Sequence, residues 1–262
     1  MTPPNATPSS AISLAGKRIM VTGGSSGIGR AIAIGAARAG ADVMLTWRAN
    51  EAGANEVAAA IRETGRRAAL VQADISAPDD LSRLIETARA AFGGIDGWVN
   101  NAGADILTGP AAQLSRRDKL DLLLRVDLRG TMLASWAAAE LLQAGPPGGV
   151  IVNMSWDGAV RGMDGENPEL FAAVKGGVLS FSRALARSLA PGIRVNVLGP
   201  GWIETAFGDA ASTAFKQEIA RGIPLGRWGT PEDVARAAIY LLSDAAQYVT
   251  GQMILVNGGD VM

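Results

Sequence analysis

The sequence predicts an α/β fold: one doubly wound parallel sheet of about seven strands with helices on both faces. Three observations carry this expectation. Seven short β-rich runs recur along the chain, at Arg18–Val21, Val43–Trp47, Ala69–Gln72, Gly97–Val99, Val150–Met154, Arg194–Leu198 and Met253–Val256. They are nearly continuous in apolar residues, as strands buried on both faces are, rather than alternating. Between them lie longer Ala-rich stretches with helical spacing, and alternating strand and helix implies right-handed crossovers in a parallel sheet.

The elements justify themselves in order. Residues 1–14 are rich in Pro, Ser, Thr and Asn, and lack the basic start and apolar run of a signal peptide. They read as a flexible tail preceding one domain over 15–262. The first run enters a glycine-rich turn, and Ile28, Ile32 and Ala36 then share a helix face. After the second run, Val57 and Ile61 repeat the pattern up to a turn at Gly65. The remaining runs are spaced for further strand–helix units, and no second domain, repeat or linker interrupts them. A chain of 262 residues with 48% hydrophobic content suits one such domain.

Composition narrows the chemistry. Lys and Arg number 24 and Asp and Glu 25, a net charge of -1, so no basic excess points to nucleic acid or to an anionic membrane. The chain has no Cys and no His, which excludes disulfides, thiolate chemistry and the usual metal ligands; no metal is expected. Only two tyrosines occur, Tyr240 and Tyr248. No apolar stretch reaches the roughly 18–20 residues of a membrane helix, and a cytoplasmic location is the expectation.

The turn after the first run reads Thr22-Gly23-Gly24-Ser25-Ser26-Gly27-Ile28-Gly29. Gly23 allows backbone angles closed to other residues, Gly27 lets the chain approach a pyrophosphate, and Gly29 lets helix and sheet pack closely. The helix start offers free N–H groups and the positive end of a dipole to phosphates. A strand, a turn of this kind and a helix near the N-terminus make the pattern specific, although such a turn by itself can be purely structural.

Thr22-Gly-x-x-x-Gly27-x-Gly29 resembles the cofactor signature of the short-chain dehydrogenases/reductases. Asn100-Asn101-Ala102-Gly103 is similar to that family's second signature, and Pro200-Gly201-x-Ile203-x-Thr205 to the segment that reaches the nicotinamide. The motifs fall in family order over Lys17 to Gly259. The resemblance implies a Rossmann-type fold and a set of site residues. Ser25, Ser26 and Ile28 would lie against pyrophosphate and ribose. Asp74 and Ile75 would hold the adenine, and Asn101, Ala102 and Gly103 the adenosine side. Thr205 and the Ile203 backbone would position the carboxamide.

The dinucleotide itself is expected to be NADP in preference to NAD. An acid about 20 positions after the glycines would bind the ribose 2′-hydroxyl of NAD. Here the second strand ends on Trp47 and Arg48 follows. A guanidinium grips a 2′-phosphate with charge-assisted hydrogen bonds that a carboxylate would oppose. The bland alternative is a solvated Arg48 and a Trp47 that caps the core.

The family's catalytic pattern is broken. Its members use Ser, Tyr and a Lys shortly after the Tyr, supported by an Asn on an earlier helix. The Tyr-x-x-x-Lys segment here reads Phe171-Ala172-Ala173-Val174-Lys175. Two serines are usual after the fifth strand, the second catalytic; here they read Ser155-Trp156. The supporting Asn reads Asp127. Lys175 is expected to bind the nicotinamide ribose still. Asp157, Asp164, Glu166 and Glu204 are the acids that could replace the lost proton donor, and spacing does not choose among them. As ordinary structure, Phe171 would be an apolar residue on the helix face that covers the pocket and Asp127 a polar helix residue with a local partner.

Two functions follow from this pattern. One is an NADP(H)-dependent oxidoreductase with a substituted proton relay, acting on a small apolar carbonyl, alcohol or related substrate. The other is a non-redox protein on the same scaffold: a lyase, isomerase or cyclase, or a cofactor-sensing binding protein. A flap at 206–221 carries Phe207, Ala210, Ala211 and Phe215, which suit either an apolar ligand or core packing. The resemblance also implies a homotetramer, using Pro231–Ser243 with Met253–Val256 and helices around Asp121–Leu142 and Leu170–Leu189, with Ala137-Ala138-Ala139 and Ala184–Ala186 at close helix contacts.

Overall fold

The computed structural model describes residues 12–145 and 148–262; most of the expected tail, residues 1–11, lies outside them. Seven parallel strands form one sheet in the order β3-β2-β1-β4-β5-β6-β7. They are β1 Arg18–Val21, β2 Asp42–Trp47, β3 Ala68–Gln72, β4 Gly97–Asn100, β5 Gly149–Met154, β6 Ile193–Pro200 and β7 Met253–Val256. The runs read from sequence all fall inside these strands. β6 runs two residues further than its apolar stretch, because Gly199 and Pro200 still pair with Leu255 and Val256.

The helices are α1 Gly27–Arg38, α2 Glu51–Glu63, α3 Pro78–Phe92, α4 Arg116–Leu123, α5 Thr131–Gln143, α6 Gly158–Arg161, α7 Glu166–Leu189, α8 Ala206–Ala210, α9 Thr213–Gly222 and α10 Pro231–Leu242. Two apolar clusters cover the two faces of the sheet. Ile19, Val21, Val43, Leu45 and Val152 pack with residues of α1, α2 and α10 on one face. Met20, Met44, Trp98, Ile151 and Val195 pack with residues of α3, α5 and α7 on the other. Strand side chains alternate between the faces, so near-continuous apolar runs serve both layers.

Local chemistry sets the helix ends. α3 starts on a proline and stops at Gly93, whose φ of 72° closes the last turn in the left-handed region. α10 begins with a reciprocal capping box between Thr230 and Asp233. Arg227 donates a side-chain hydrogen bond to Asp233, which lowers the carboxyl to about 2. α4 and α5 are one long helix interrupted by a π-helical segment at Leu124–Gly130.

Two expectations need correction. Leu14 is buried, and its N–H donates to the Ala39 carbonyl at 2.8 Å, so the folded chain already includes this residue of the expected tail. Of the alanines expected at close helix contacts, Ala138, Ala139 and Ala186 are buried among the chain's own apolar residues, since α5 and α7 both pack onto the sheet, whereas Ala137 is partly exposed and Ala184 exposed. The outward face of this pair instead carries Trp136, which meets Phe181 edge to face with ring centroids 6.0 Å apart.

Candidate active site

The strand order reverses between β1 and β4, and a crevice at such a switch point opens beyond the carboxyl ends of the strands. The β1–α1 turn and Asn101-Ala102-Gly103 flank it. Gly23 has φ +64°, and a Cβ there would lie 2.9 Å from the Ala102 backbone. A Cβ on Gly29 would collide with the Gly23 carbonyl and the Asn101 amide, so this glycine is what lets helix and turn close on each other. Gly27 differs: its φ is +51°, and a Cβ would meet only the Thr205 methyl, at 3.8 Å.

The turn is braced from both neighbouring strands. The Gly23 N–H donates to Thr46 Oγ1 at 3.0 Å. Thr22 Oγ1 accepts the N–H groups of Asn101 and Ala102, each at 3.0 Å. Asn101 Nδ2 donates to the carbonyls of Thr22 and Gly23 at 3.1 Å. The Asn101 amide therefore holds the glycine turn in shape. Ser26, at the N-cap of α1, makes no side-chain capping bond, so its hydroxyl does not cap the dipole end of the helix. A helix start whose N-cap side chain provides no cap, with Gly27 free of a side chain at its first position, is able to receive an anion such as a pyrophosphate.

The residues expected at the adenosine end follow β2 and β3. Trp47 is half-buried and packs against the core, while Arg48 is exposed just beyond it. The Arg48 carbonyl accepts from Gln72 Nε2 at 3.0 Å, which fixes its backbone beside the end of β3. Asn50 caps α2 through the Gly53 N–H and reaches the Ser25 carbonyl at 3.5 Å, tying this loop to the glycine turn. Asp74 follows β3. Burial raises its carboxyl, but bonds from the Ser76 hydroxyl and N–H outweigh this and leave it below the usual range. Ile75 is buried against Gly130, so its side chain belongs to the core.

The third segment arrives from β6. The Gly201 N–H donates to the Val256 carbonyl, and Ile203 forms a bridge with Gly229. Thr205 starts α8 without a capping bond of its own. Glu204 is ion-paired with Lys216 at 2.6 Å, which ties one candidate acid to the flap. In the flap, Phe207 and Phe215 pack with Trp202 and Trp228, with ring centroids 5.2–6.4 Å apart.

The residues around Lys175 come together from three elements. Lys175 Nζ pairs with Asp127 Oδ2 at 2.9 Å, with side chains 12% and 2% exposed. It also approaches the Met154 carbonyl at 3.4 Å. Asp127 Oδ1 accepts the Ala104 N–H at 2.8 Å. The π-helical segment carries Asp127, and such a segment re-aims side chains that a regular helix would space differently. Phe171 stands one turn before Lys175 on α7, half-buried beside Leu170 and Val174. Its ring is 6.4 Å from that of Trp156 at 59°. Ser155 is buried, and its hydroxyl donates to the Lys175 carbonyl at 2.9 Å, which turns it onto the helix backbone.

Asp157 turns the other way, to the β6–β7 side of β5. Its N–H donates to the Pro200 carbonyl, and its carboxylate accepts from Asn257 Nδ2 at 3.2 Å. Burial pushes its carboxyl up, against bonds from Asn257 and the Gly158 N–H. Asp164 and Glu166 are exposed near the start of α7. Of the expected catalytic set, Lys175, Asp127, Phe171, Trp156 and Ser155 lie together, and Asp157 does not join them.

Sequence reasoning missed a buried polar network beneath this site. Asn100 Nδ2 donates to Ser135 Oγ at 2.9 Å and to Asn153 Oδ1 at 2.8 Å, and Asn153 Nδ2 donates to Ser182 Oγ at 2.9 Å. It joins β4 and β5 to α5 and α7. The signal was present: Asn153 interrupts an apolar strand, where a buried amide must find partners. Among the described residues, no group of acidic side chains could hold a metal, and no helix is long and apolar enough to cross a membrane.

Comparison with known proteins adds the lineage. A family model described as enoyl-(acyl carrier protein) reductase matches residues 23–260. The chain is 37% identical to 3beta-hydroxysteroid dehydrogenase 1 of Eggerthella lenta over 252 residues, covering 94% of each. It is 37% identical to an L-rhamnose 1-dehydrogenase (NAD(P)(+)) of a Sphingomonas species, covering 94% of this chain and 96% of that one. Among solved structures, a short chain dehydrogenase from Burkholderia cenocepacia in complex with NADP superposes with a TM-score of 0.85 at 35% identity, over 94% of this chain and 98% of that one.

Proposed function

The chain belongs to the short-chain dehydrogenase/reductase family, a family of oxidoreductases, and from that premise we propose that it is an NADP(H)-dependent oxidoreductase with an altered proton relay, acting on a small, largely apolar substrate. The observation that carries this reading is the buried Lys175–Asp127 pair, set beside Phe171 and Trp156 at the end of β5. The glycine turn follows β1, Thr205 follows β6 and this group stands beyond β5, all at the carboxyl ends of the strands, so a dinucleotide lying along the switch point would bring its nicotinamide end to this group.

When bound, the cofactor supplies or accepts a hydride. The chain's own residues hold and shape it. Gly23, Ser25, Ser26, Gly27, Ile28 and Gly29 would receive the pyrophosphate. Arg48 would grip a 2′-phosphate, and the structure of the Burkholderia relative in complex with NADP supports that preference. Lys175 would donate to the nicotinamide ribose, with Asp127 fixing its ammonium. Phe171 provides no hydroxyl, and the Ser155 hydroxyl is spent on the Lys175 carbonyl. A simple ketone would therefore form its alkoxide without a positioned donor. The substrate is a small molecule rather than nucleic acid or membrane, the location cytoplasmic and the assembly a homotetramer.

The direct test is titration of the purified protein with NADPH and NADH. Tighter binding of NADPH is expected; equal affinities would overturn the NADP assignment.

A further inference from the structure

The side chains around Lys175 differ from a carbonyl-reducing arrangement in one consistent electrostatic sense. Reduction of a neutral carbonyl creates negative charge on oxygen, which an enzyme stabilises with hydroxyl donors and a nearby cation. Here the residue one turn before Lys175 is Phe171, and the residue entering from β5 is Trp156. Neither ring offers a hydroxyl, and the faces of both rings are negative. The Lys175 ammonium is 2.9 Å from the Asp127 carboxylate, and the carboxylate is almost fully buried, so its charge is directed at the lysine rather than dissipated in solvent. The Ser155 hydroxyl is turned onto the α7 backbone. Hydroxyl donors are lacking, the positive charge of Lys175 is balanced by Asp127, and the Trp156 and Phe171 rings lie 6.4 Å apart beside the pair.

These features suit a substrate that arrives positively charged and leaves neutral. We propose that the site reduces a carbon–nitrogen double bond in its cationic form, an iminium, held against Trp156 and Phe171 by cation–π contact. The proposal rests on the oxidoreductase reading above and names its substrate class. The iminium carbon accepts a hydride from the reduced nicotinamide, forming a C–H bond. The C=N π pair moves onto nitrogen as a lone pair, so the cation becomes a neutral amine. The nicotinamide is oxidised by two electrons. No proton enters the step, so a site without the tyrosine hydroxyl loses nothing by its absence. A cation near an aromatic face gains attraction that grows as water is excluded, and Asp127 removes the repulsion that a bare Lys175 would exert.

The test uses an N-methyl dihydroisoquinolinium salt, which is permanently cationic, against tetralone, a neutral ketone of similar shape. NADPH consumption should be at least about a hundredfold higher in kcat/KM for the iminium, the lower end of what general acid catalysis contributes to the ketone. The iminium rate should not fall as pH rises, since no proton is taken up. A second readout needs no turnover: calorimetric binding of N-methylisoquinolinium against neutral isoquinoline at mildly alkaline pH, to the NADPH-saturated protein. The cation should bind more tightly, and Trp156→Leu and Phe171→Leu should each weaken it by about three- to thirtyfold relative to isoquinoline. Tetralone turned over as well as the iminium would overturn the proposal. So would NADPH binding with neither substrate reduced, or equal binding of the two isoquinolines; both leave the cofactor reading intact. Failure to bind NADPH at all would overturn the cofactor reading and this proposal together.

Discussion

Replacing Lys175 by Met tests whether the pair with Asp127 is formed and buried as the geometry states. The substitution removes the ammonium that lies 2.9 Å from a carboxylate only 2% exposed. What remains to Asp127 is the Ala104 N–H at 2.8 Å. An uncompensated buried carboxylate costs about 3–5 kcal/mol when its partner is deleted, and the 12% exposure of Lys175 places the expectation at the lower end. Adding Asp127→Asn to Lys175→Met should recover much of that loss. The asparagine carries no charge, and its Oδ1 can still accept the Ala104 N–H. The assay is urea unfolding followed by far-ultraviolet circular dichroism, at one fixed protein concentration because assembly shifts apparent stability. Across the wild type, the two single variants and the double variant, the coupling energy should be at least about 1 kcal/mol. A coupling below about 0.5 kcal/mol, the level of independent sites, would refute the buried pair and the charge cancellation built on it.

Four further outcomes are expected. Arg48→Ala should narrow the preference for NADPH over NADH by about 1–3 kcal/mol in parallel titrations, the value of a charge-assisted hydrogen bond. Gly29→Ala should abolish NADPH binding and lower stability by about 1–3 kcal/mol, because the new methyl meets the Gly23 carbonyl and the Asn101 amide. Thr230→Ala should cost about 1 kcal/mol by opening the α10 capping box; the Asp233 contribution, with its carboxyl at about 2 against an unfolded 3.8, should be full above 3.8 and be lost as pH falls through about 2. Asp157 is the opposite case: its folded value is raised, chiefly by burial, so its effect favours the fold below 3.8 and is lost as pH rises through the folded value. Asp157→Asn should therefore raise the thermal midpoint at neutral pH, and no change would show that the carboxyl is not desolvated.

Much of this architecture was legible because buried parallel strands leave a direct imprint. Val150-Ile151-Val152 and Val43-Met44-Leu45 have no polar face, and only a sheet covered on both sides accepts them. The glycine turn was legible for a similar reason: Gly23 and Gly29 sit where a Cβ has no room. Other features depend on contacts distant in sequence. The aim of Asp127 at Lys175 arises from a π-helical segment, and no local propensity marks one extra residue in a turn. Asp157 was indistinguishable in sequence from an acid facing the substrate; its direction is set by Asn257, one hundred residues away. Leu14 belongs to the core because Ala39 closes a hydrogen bond over it, while its neighbours in the chain read as a polar tail. Ala138 and Ala186 were expected at a subunit contact, but small residues serve equally where a helix lies close on its own sheet.

Turnover of a simple ketone by the parent chain and by the double variant Phe171→Tyr, Trp156→Ser tests the central claim most directly. Phe171→Tyr alone should recover little, because Trp156 still stands where the second hydroxyl would act. The double variant places both hydroxyls beside Lys175 while leaving the glycine turn and Thr205 untouched. The double variant should gain at least about a hundredfold in kcat/KM over the parent, the smallest contribution expected of a positioned proton donor, with NADPH affinity unchanged. A parent chain that reduces the ketone as fast as the double variant would contradict it, since a proton donor would then already be acting without either hydroxyl.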